Sequence, residues 1–318
     1  MNVFITGASG FIGQYLTKEL INNGYQITGL SRRTQPSREG VSFITGDITK
    51  PETFSFALKN IDLVFHNAAY AMDWGKKKDF YEINVKGTKN VAEACKEHGI
   101  KHLVYTSSAG VYGYPKDKKV ITEETEKNPL NMYQKTKYEG EKVLREFDDL
   151  TVSAIRPPLV FGPGSPALKI AFSNLKNGKM MYIGDGTQQL SIAHPVDVAR
   201  CMRLIAEKDT KGEVFNVVSF ICQINDFMET IAEKTRIDPP SKHVPFSVAY
   251  TVAWLTEMVK KNPTLTRFRV KSLGTTRIIS ADKAKQSLGY VPKYDFSSTI
   301  HEITEWYKKD LAGKTILN

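Results

Sequence analysis

Tyr133 and Lys137 stand one helical turn apart in the segment Tyr-Gln-Lys-Thr-Lys. At i,i+4 spacing two side chains share a helix face. A free phenol titrates near pH 10 and is a poor base at neutrality. A neighbouring ammonium stabilises the phenolate and lowers that value. Such a pair can give a proton to a carbonyl being reduced, or take one from an alcohol being oxidised. Ser108, in a Ser-Ser turn upstream, offers a hydroxyl that hydrogen-bonds the reacting oxygen as charge develops there. Y-x-x-x-K alone is common on solvated helices. Its weight comes from what precedes it in the chain.

The elements that would position these groups begin at the N-terminus. Met1-Asn2-Val3-Phe4-Ile5 is an apolar run that predicts a buried parallel strand. Thr6-Gly7-Ala8-Ser9-Gly10-Phe11-Ile12-Gly13 follows, with glycines spaced G-x-x-G-x-x-G. Phe11, Ile12, Tyr15, Leu16, Leu20 and Ile21 then recur at helical spacing until Asn22-Asn23-Gly24. Strand, glycine turn and helix together predict a dinucleotide site. Glycine serves where the chain turns tightly, where backbone approaches pyrophosphate, and where helix packs on strand. The helix N-terminus presents free N–H groups and a positive dipole end. A second strand over 26–30 leads into Ser31-Arg32-Arg33. An acidic residue there would grip the ribose 2′-hydroxyl of NAD. Arginine would pair with a 2′-phosphate instead, so the reading favours NADP, with NAD still open.

Strand-like and helix-like segments alternate through the first half: Val41-Ser42-Phe43-Ile44, Leu63-Val64-Phe65, a helix around 80–99, then Leu103-Val104-Tyr105-Thr106. This alternation predicts an α/β fold with a doubly wound parallel sheet. Ligands in such sheets sit at the carboxyl ends of strands. Gly7, Arg32, Asp47, Ala68, Ser107 and Ser108 all follow strands. Prolines and glycines mark a break at Arg156-Pro157-Pro158 and Phe161-Gly162-Pro163-Gly164. The reading therefore takes 1–160 as a dinucleotide-binding Rossmann domain. Segments near 192–219, at 193–200 and 214–218, return to its sheet. A smaller, discontinuous substrate-binding region takes 161–191 and 220–318.

At 318 residues the chain can bury an ample core. Cys95, Cys201 and Cys222 form no metal pattern and no even disulfide set, which fits a reducing, cytoplasmic setting without a metal. The start shows no basic region followed by a long apolar stretch, so no secretory signal is expected. The net charge of +10 includes lysine clusters at 76–78 and 116–119, but no nucleic-acid motif accompanies it. Solvated surface and a preference for anionic cofactor and substrate explain it better. The apolar stretch 245–259 is too short and too polar to span a bilayer. It reads as a helix of the substrate region, with surface attachment to a membrane the minor alternative given Lys260-Lys261.

Taken in order, these motifs resemble the extended short-chain dehydrogenase/reductase family, the NAD-dependent epimerase/dehydratase-like group, along essentially the whole chain. The glycine run matches T-G-x-x-G-x-x-G. His66-Asn67-Ala68-Ala69 matches H-x-A-A, and Thr106-Ser107-Ser108-Ala109-Gly110-Val111-Tyr112-Gly113 matches S-S-x-x-V-Y-G. Tyr133 and Lys137 match Y-x-x-x-K. The resemblance implies Ser108, Tyr133 and Lys137 as catalytic residues. It implies a cofactor held by Gly7, Ser9, Gly10, Phe11, Ile12, Gly13, Ser31, Arg32, Arg33, Asp47, Ile48, Ala68, Ala69, Asn84, Tyr133, Lys137 and Pro157. Asn84 also has a purely local reading, as a side chain bonded to backbone that bends its helix. His194 reads as structural, with Asp197 capping a helix.

Thr106-Ser107-Ser108 lacks the carboxylates of a nucleotide-sugar dehydratase. The segment after Arg156 lacks the asparagine usual in nucleotide-sugar epimerases. Arg-Pro-Pro with Phe-Gly-Pro-Gly, and the tail from Ala281 to Pro292, resemble the 3β-hydroxysteroid dehydrogenase and dihydroflavonol reductase-like branch. The expected function is an NADP-preferring oxidoreductase acting on the carbonyl or hydroxyl of a largely apolar small molecule, with Tyr70, Met72, Trp74 and Tyr112 toward the substrate. The alternatives are a nucleotide-sugar epimerase with tightly bound NAD, and a cofactor-sensing regulator without catalysis. The family resemblance implies a homodimer built on two helices per subunit, one over 84–97 and one over 133–147.

Overall fold

The computed structural model describes residues 1–37, 39–115, 120–208, 210 and 212–310. The lysine cluster at 116–119 lies outside them. The first half builds a central sheet from β1 (Asn2–Thr6), β2 (Gln26–Ser31), β3 (Val41–Thr45), β4 (Leu63–His66), β5 (His102–Thr106) and β6 (Thr151–Arg156). Val3, Phe4 and Ile5 are fully buried, as a strand covered on both faces must be. The helices between the strands are α1 (Phe11–Ile21), α2 (Lys77–Tyr81), α3 (Gly87–Glu97) and α4 (Met132–Leu144). Residues Glu82–Lys86 join α2 to α3 through a π-wound turn, so one long helix carries a local bulge.

Past β6 the chain forms β7 (Leu159–Val160), α5 (Pro166–Lys176), β8 (Tyr182–Ile183) and β9 (Gln189–Ala193). It then runs back along the first half as α6 (Pro195–Glu207), packed on α1, and β10 (Val214–Asn216), paired with β6. The segment at 193–200 thus rejoins the first half as a helix, not as a strand. The completed sheet is parallel throughout, in the order β10-β6-β5-β4-β1-β2-β3. Strand order reverses between β1 and β4, and Thr6 pairs with His66 at the carboxyl ends there. This is the crevice where open α/β sheets bind ligands.

The remaining elements are β11 (Phe220–Gln223), α7 (Ile224–Thr235), β12 (His243–Val244), α8 (Phe246–Val259), α9 (Arg267–Gly274), α10 (Asp282–Leu288) and α11 (Phe296–Asp310). β7, β9 and β11 form a small sheet, and β8 pairs with β12. α5, α7 and α11 enclose their own core around Leu168, Phe172, Phe227, Ile231, Ile303 and Tyr307. No helix among the described residues is long and apolar enough to cross a membrane.

The start of α6 corrects one expectation. His194, not Asp197, caps the helix: its Nδ1 accepts from Val196 N at 3.4 Å. Asp197 instead receives the N–H groups of Lys293 and Tyr294 at 2.7 and 3.2 Å, and Ser219 Oγ at 2.7 Å. A buried carboxylate so supplied fastens the tail to the sheet. His194 stacks on Tyr294 at 3.7 Å, and burial holds its pKa down near about 3, so it stays neutral.

Candidate active site

Helix α4 carries the acid/base pair. Asn131 caps it, accepting from Gln134 N at 2.9 Å, which sets the first turn where Tyr133 sits. Gly140 lets the helix close on β5: a Cβ there would lie 2.4 Å from Tyr105 Oη. Tyr133, Lys137 and Glu141 therefore fall on one face, over the ends of β5 and β6. Ser108 enters from the turn after β5, and its Oγ accepts from Gly110 N at 3.0 Å. That bond uses a lone pair and leaves the hydroxyl proton to donate. The Ser108 hydroxyl favours the phenolate of Tyr133.

The electrostatics differ from the sequence expectation. Lys137 does not pull Tyr133 down. Burial pushes Tyr133 up to about 12, and only Ser108 works against it. The Lys137 ammonium lies over the Tyr105 ring, 4.0 Å from its centre. Burial lowers its pKa to about 7, with Glu141 opposing. Without cofactor, the pair is a protonated phenol beside a lysine that loses its charge near neutrality.

The crevice at β1 fits a dinucleotide. Gly7 has φ +70°, and a Cβ there would meet Ala68 at 2.9 Å. A Cβ at Gly13 would lie 2.1 Å from the Gly7 carbonyl oxygen. Gly10 caps α1 with no side chain and no acidic residue in the first turn, which leaves those N–H groups for an anion. Thr88 donates to Asn84 O at 2.8 Å, so it must accept from His66 Nε2 at 2.9 Å. His66 Nδ1 is then bare and takes the Thr6 hydroxyl proton at 2.8 Å. Thr6 Oγ1 in turn accepts from Asn67 N and Ala68 N at 3.1 and 3.0 Å. This chain of bonds holds Ala68 and Ala69 against the glycine loop, and burial with the Lys137 charge keeps His66 neutral, near about 3. Ser9 and Ser31 hydroxyls meet at 3.0 Å, and Arg33 N donates to Ser31 Oγ at 3.2 Å. Arg32 and Arg33 are exposed beyond them.

Residues 3–218 match the NAD dependent epimerase/dehydratase family. The chain belongs to that family. It is an NAD(P)-dependent enzyme of the extended short-chain dehydrogenase/reductase type. The sterol-4-alpha-carboxylate 3-dehydrogenase, decarboxylating, of Mus musculus is 30% identical over 310 residues, covering 91% of this chain and 86% of that protein. The 2-alkyl-3-oxoalkanoate reductase of Stenotrophomonas maltophilia (strain K279a) is 27% identical, covering 95% and 98%. The solved structure of MoeE5 in complex with UDP-glucuronic acid and NAD has a TM-score of 0.80 at 27% identity, covering 98% of this chain and all of that one.

Several residues expected at the site of this epimerase/dehydratase-family chain are engaged elsewhere. Tyr112 is fully buried, not substrate-facing: it accepts from Arg156 Nη1 at 2.8 Å and donates to Asn216 Oδ1 at 2.9 Å. Asn84 is 1% exposed and both its N–H groups are used, toward Tyr70 O and Thr136 Oγ1, while its Oδ1 accepts Tyr70 N at 2.7 Å. It has no donor left for a cofactor and instead braces the loop against α4. The Ile48 side chain is buried beneath Gly87, so only its main chain could meet a cofactor. Asp47 folds an Asx turn, its Oδ1 taking Thr49 N and Oγ1 at 2.8 Å. The Pro157 carbonyl takes Ala109 N at 2.9 Å, which ties β6 to the catalytic turn. Phe11 packs edge-on to Tyr15, and Ile12 packs on the core. Tyr70 stacks edge-on with Phe80, Met72 is half exposed, and Trp74 Nε1 donates to Lys261 O at 2.9 Å.

A buried ion pair lies under the catalytic turn, and sequence reasoning did not find it. Arg156 donates to both oxygens of Glu141, at 2.8 and 2.5 Å, and Ser107 Oγ donates to Glu141 at 2.5 Å. One signal was present: Glu141 follows Lys137 at the same i,i+4 spacing that links Lys137 to Tyr133.

Proposed function

We propose an NADP-preferring oxidoreductase that transfers a hydride between nicotinamide and the carbonyl or hydroxyl of a largely apolar small molecule. The observation that carries this is Tyr133. It sits on α4 one turn before Lys137 and within hydrogen-bond reach of Ser108, and like any phenol it holds its proton at neutral pH, the state required of an acid for carbonyl reduction. The bound cofactor supplies or accepts the hydride. The substrate oxygen rests between Ser108 Oγ and Tyr133 Oη. Ser108 donates a hydrogen bond to it as it gains charge. Tyr133 gives its proton to the same oxygen, the Ser108 hydroxyl favours the phenolate left behind, and Lys137 can offset it only while it keeps its proton, below about pH 7. Oxidation runs the same transfers backward. Ser31, Arg32 and Arg33 support NADP, with the two exposed guanidinium groups at the end of β2 suited to a 2′-phosphate. The named substrates of the two curated relatives share an oxygen function beside a carbon bearing carboxylate, on an apolar body.

The test is NADPH oxidation with 3-oxo acids and ketones. Tyr133→Phe is expected to lower turnover by roughly 10²–10⁴-fold while calorimetric NADPH affinity stays unchanged. A fully active Tyr133→Phe would overturn the assignment. A nucleotide-sugar epimerase is the second reading, supported by the likeness to MoeE5 with UDP-glucuronic acid and NAD. It requires NAD released on denaturing the purified protein and no net redox. We also infer a homodimer through α3 and α4, which light scattering reporting a monomer would refute.

A further inference from the structure

Arg277 lies between α9 and α10, its backbone fixed against β9: its N–H donates to Gln189 O at 2.8 Å. The guanidinium crosses to the catalytic turn, where Nη2 donates to the carbonyl of Ala109, the residue after Ser108. Its plane lies 5.1 Å from the centre of the Tyr114 ring, and Lys271 approaches the same ring at 5.7 Å. Arg277 Nε is sealed from water with no hydrogen-bond partner. Among the described residues, neither Arg277 nor Lys271 forms an ion pair with a carboxylate. Enclosure pulls the Arg277 pKa below the usual arginine value.

Arg277 is partly exposed and bonds both the Ala109 carbonyl and the Tyr114 side chain, yet its Nε has no partner and its charge no carboxylate among the described residues. The buried Arg156, by contrast, has Glu141 as its counter-ion. A purely structural tie between the tail and the turn would be served at less cost by a neutral side chain. An oxyanion on the guanidinium's outer nitrogens would supply the missing counter-charge. We propose that Arg277 is the anchor for a substrate carboxylate, placed beside the carbonyl or hydroxyl that Ser108 and Tyr133 engage. The Arg277 guanidinium bonds the residue that follows Ser108, which puts the anchor at the catalytic turn. This rests on the oxidoreductase reading and names its substrate class: 3-oxo or 3-hydroxy carboxylates with an apolar body. The diphosphate of a nucleotide sugar shares the oxyanion chemistry, so the test separates the two sources.

NADPH-loaded enzyme is titrated by calorimetry with 2-hexyldecanoate, its methyl ester and UDP. Reduction of a 2-alkyl-3-oxo acid is compared with that of a ketone lacking the carboxylate. The expected result is binding of the free acid but not the ester. Arg277→Gln should lower the preference for the oxo acid over the neutral ketone roughly 30-fold or more, read as a rise in KM for the acid beyond any change shared with the ketone, and Arg277→Lys should recover part of the loss. An unchanged acid-to-ketone preference in Arg277→Gln would sink the proposal, as would Arg277-dependent binding of UDP and not of the acid. If no carbonyl is reduced yet the acid still binds through Arg277, the redox reading fails and the anchor stands.

A separate observation lies outside the cleft. Val248, Val252, Leu255 and Val259 recur along one face of α8, and are 51%, 45%, 49% and 80% exposed. Trp254 and Met258 flank them, while the helix buries only Ala249 and Ala253. The Trp74 bond to Lys261 brings the loop with Lys76, Lys77 and Lys78 to the end of α8, beside Lys260 and Lys261. All five lysines are exposed. Of the nearby carboxylates, Glu257 is paired with Arg267 at 2.6 Å and Asp73 with Arg269 at 2.7 Å, which leaves Asp79 as the one acid set against five lysines among these residues. An apolar stripe ended by uncompensated lysines complements an anionic lipid surface. We infer that α8 docks on an anionic bilayer.

Co-sedimentation with phosphatidylcholine vesicles, with and without phosphatidylglycerol, tests it. Binding should require the anionic lipid, weaken roughly fivefold for each lysine neutralised among Lys260→Gln and Lys261→Gln, and vanish in Val252→Glu/Leu255→Glu, whose NADPH affinity stays intact. Two results would overturn it: no sedimentation of the wild type, or a self-association that Val252→Glu/Leu255→Glu disperses, which would give the stripe to a second copy.

Discussion

Replacing Lys137 with methionine removes an enclosed charge while keeping a flexible apolar stem of similar reach. Lys137 is 1% exposed, and burial takes its pKa from 10.5 to about 7. Below pH 7 both folded and unfolded chains carry the proton, so the native state bears the full cost of the buried ammonium. Between pH 7 and 10.5 the folded chain has lost that proton and the unfolded chain has not. Stability then rises with pH, by up to about 1.4 kcal/mol per unit. From pH 6 to pH 9 this group adds about 2–3 kcal/mol to the cofactor-free wild type. Lys137→Met should lack that rise. It should be the more stable protein at pH 6, with the gap narrowing by about 2–3 kcal/mol at pH 9. Urea unfolding followed by tryptophan fluorescence at the two pH values gives the difference directly. His66 stays out of this window, since its folded pKa is near about 3. Parallel pH profiles for the two proteins would show that Lys137 is not desolvated as described, and the account of the Tyr133–Lys137 pair would fall with it.

Gly13→Ala should abolish NADPH and NADH binding and lower the melting temperature, because its Cβ would sit 2.1 Å from a backbone oxygen that cannot move aside. Calorimetry and thermal unfolding check both. Glu141→Ala should destabilise the protein by about 3–5 kcal/mol, since it strands the buried Arg156 guanidinium. A Glu141→Ala protein with wild-type urea midpoint would contradict the description of that pair. Arg32→Asp should reverse the cofactor preference from NADPH to NADH in a calorimetric titration, and an unchanged preference would remove Arg32 from the 2′-phosphate site.

Much of the frame was legible because its signals are local. Val3-Phe4-Ile5 reads as a buried strand, Gly7 and Gly13 mark a turn that side chains would block, and the i,i+4 step puts Tyr133 and Lys137 on one face. Tyr112 was not legible. It follows the catalytic turn in sequence, yet the direction of its side chain depends on Arg156 and Asn216, which reach it only when β6 and β10 join the sheet. Asn84 likewise looks like a cofactor ligand until Tyr70 and Thr136 are seen to use both its donors. The apolar run of α8 was evident, but which of its residues stay uncovered was not.

The sequence by itself determined the strand–glycine–helix opening, the alternation that makes a parallel sheet, and the residue types able to move a proton and hold a dinucleotide. Those follow from backbone conformation and side-chain period, which act over a few neighbouring residues. Only the tertiary structure decided the charge states of Tyr133, Lys137 and His66, the absence of a counter-ion at Arg277 among the described residues, and the exposure of α8. Desolvation and ion pairing depend on what the distant parts of the chain bring alongside a group, and no local pattern encodes that.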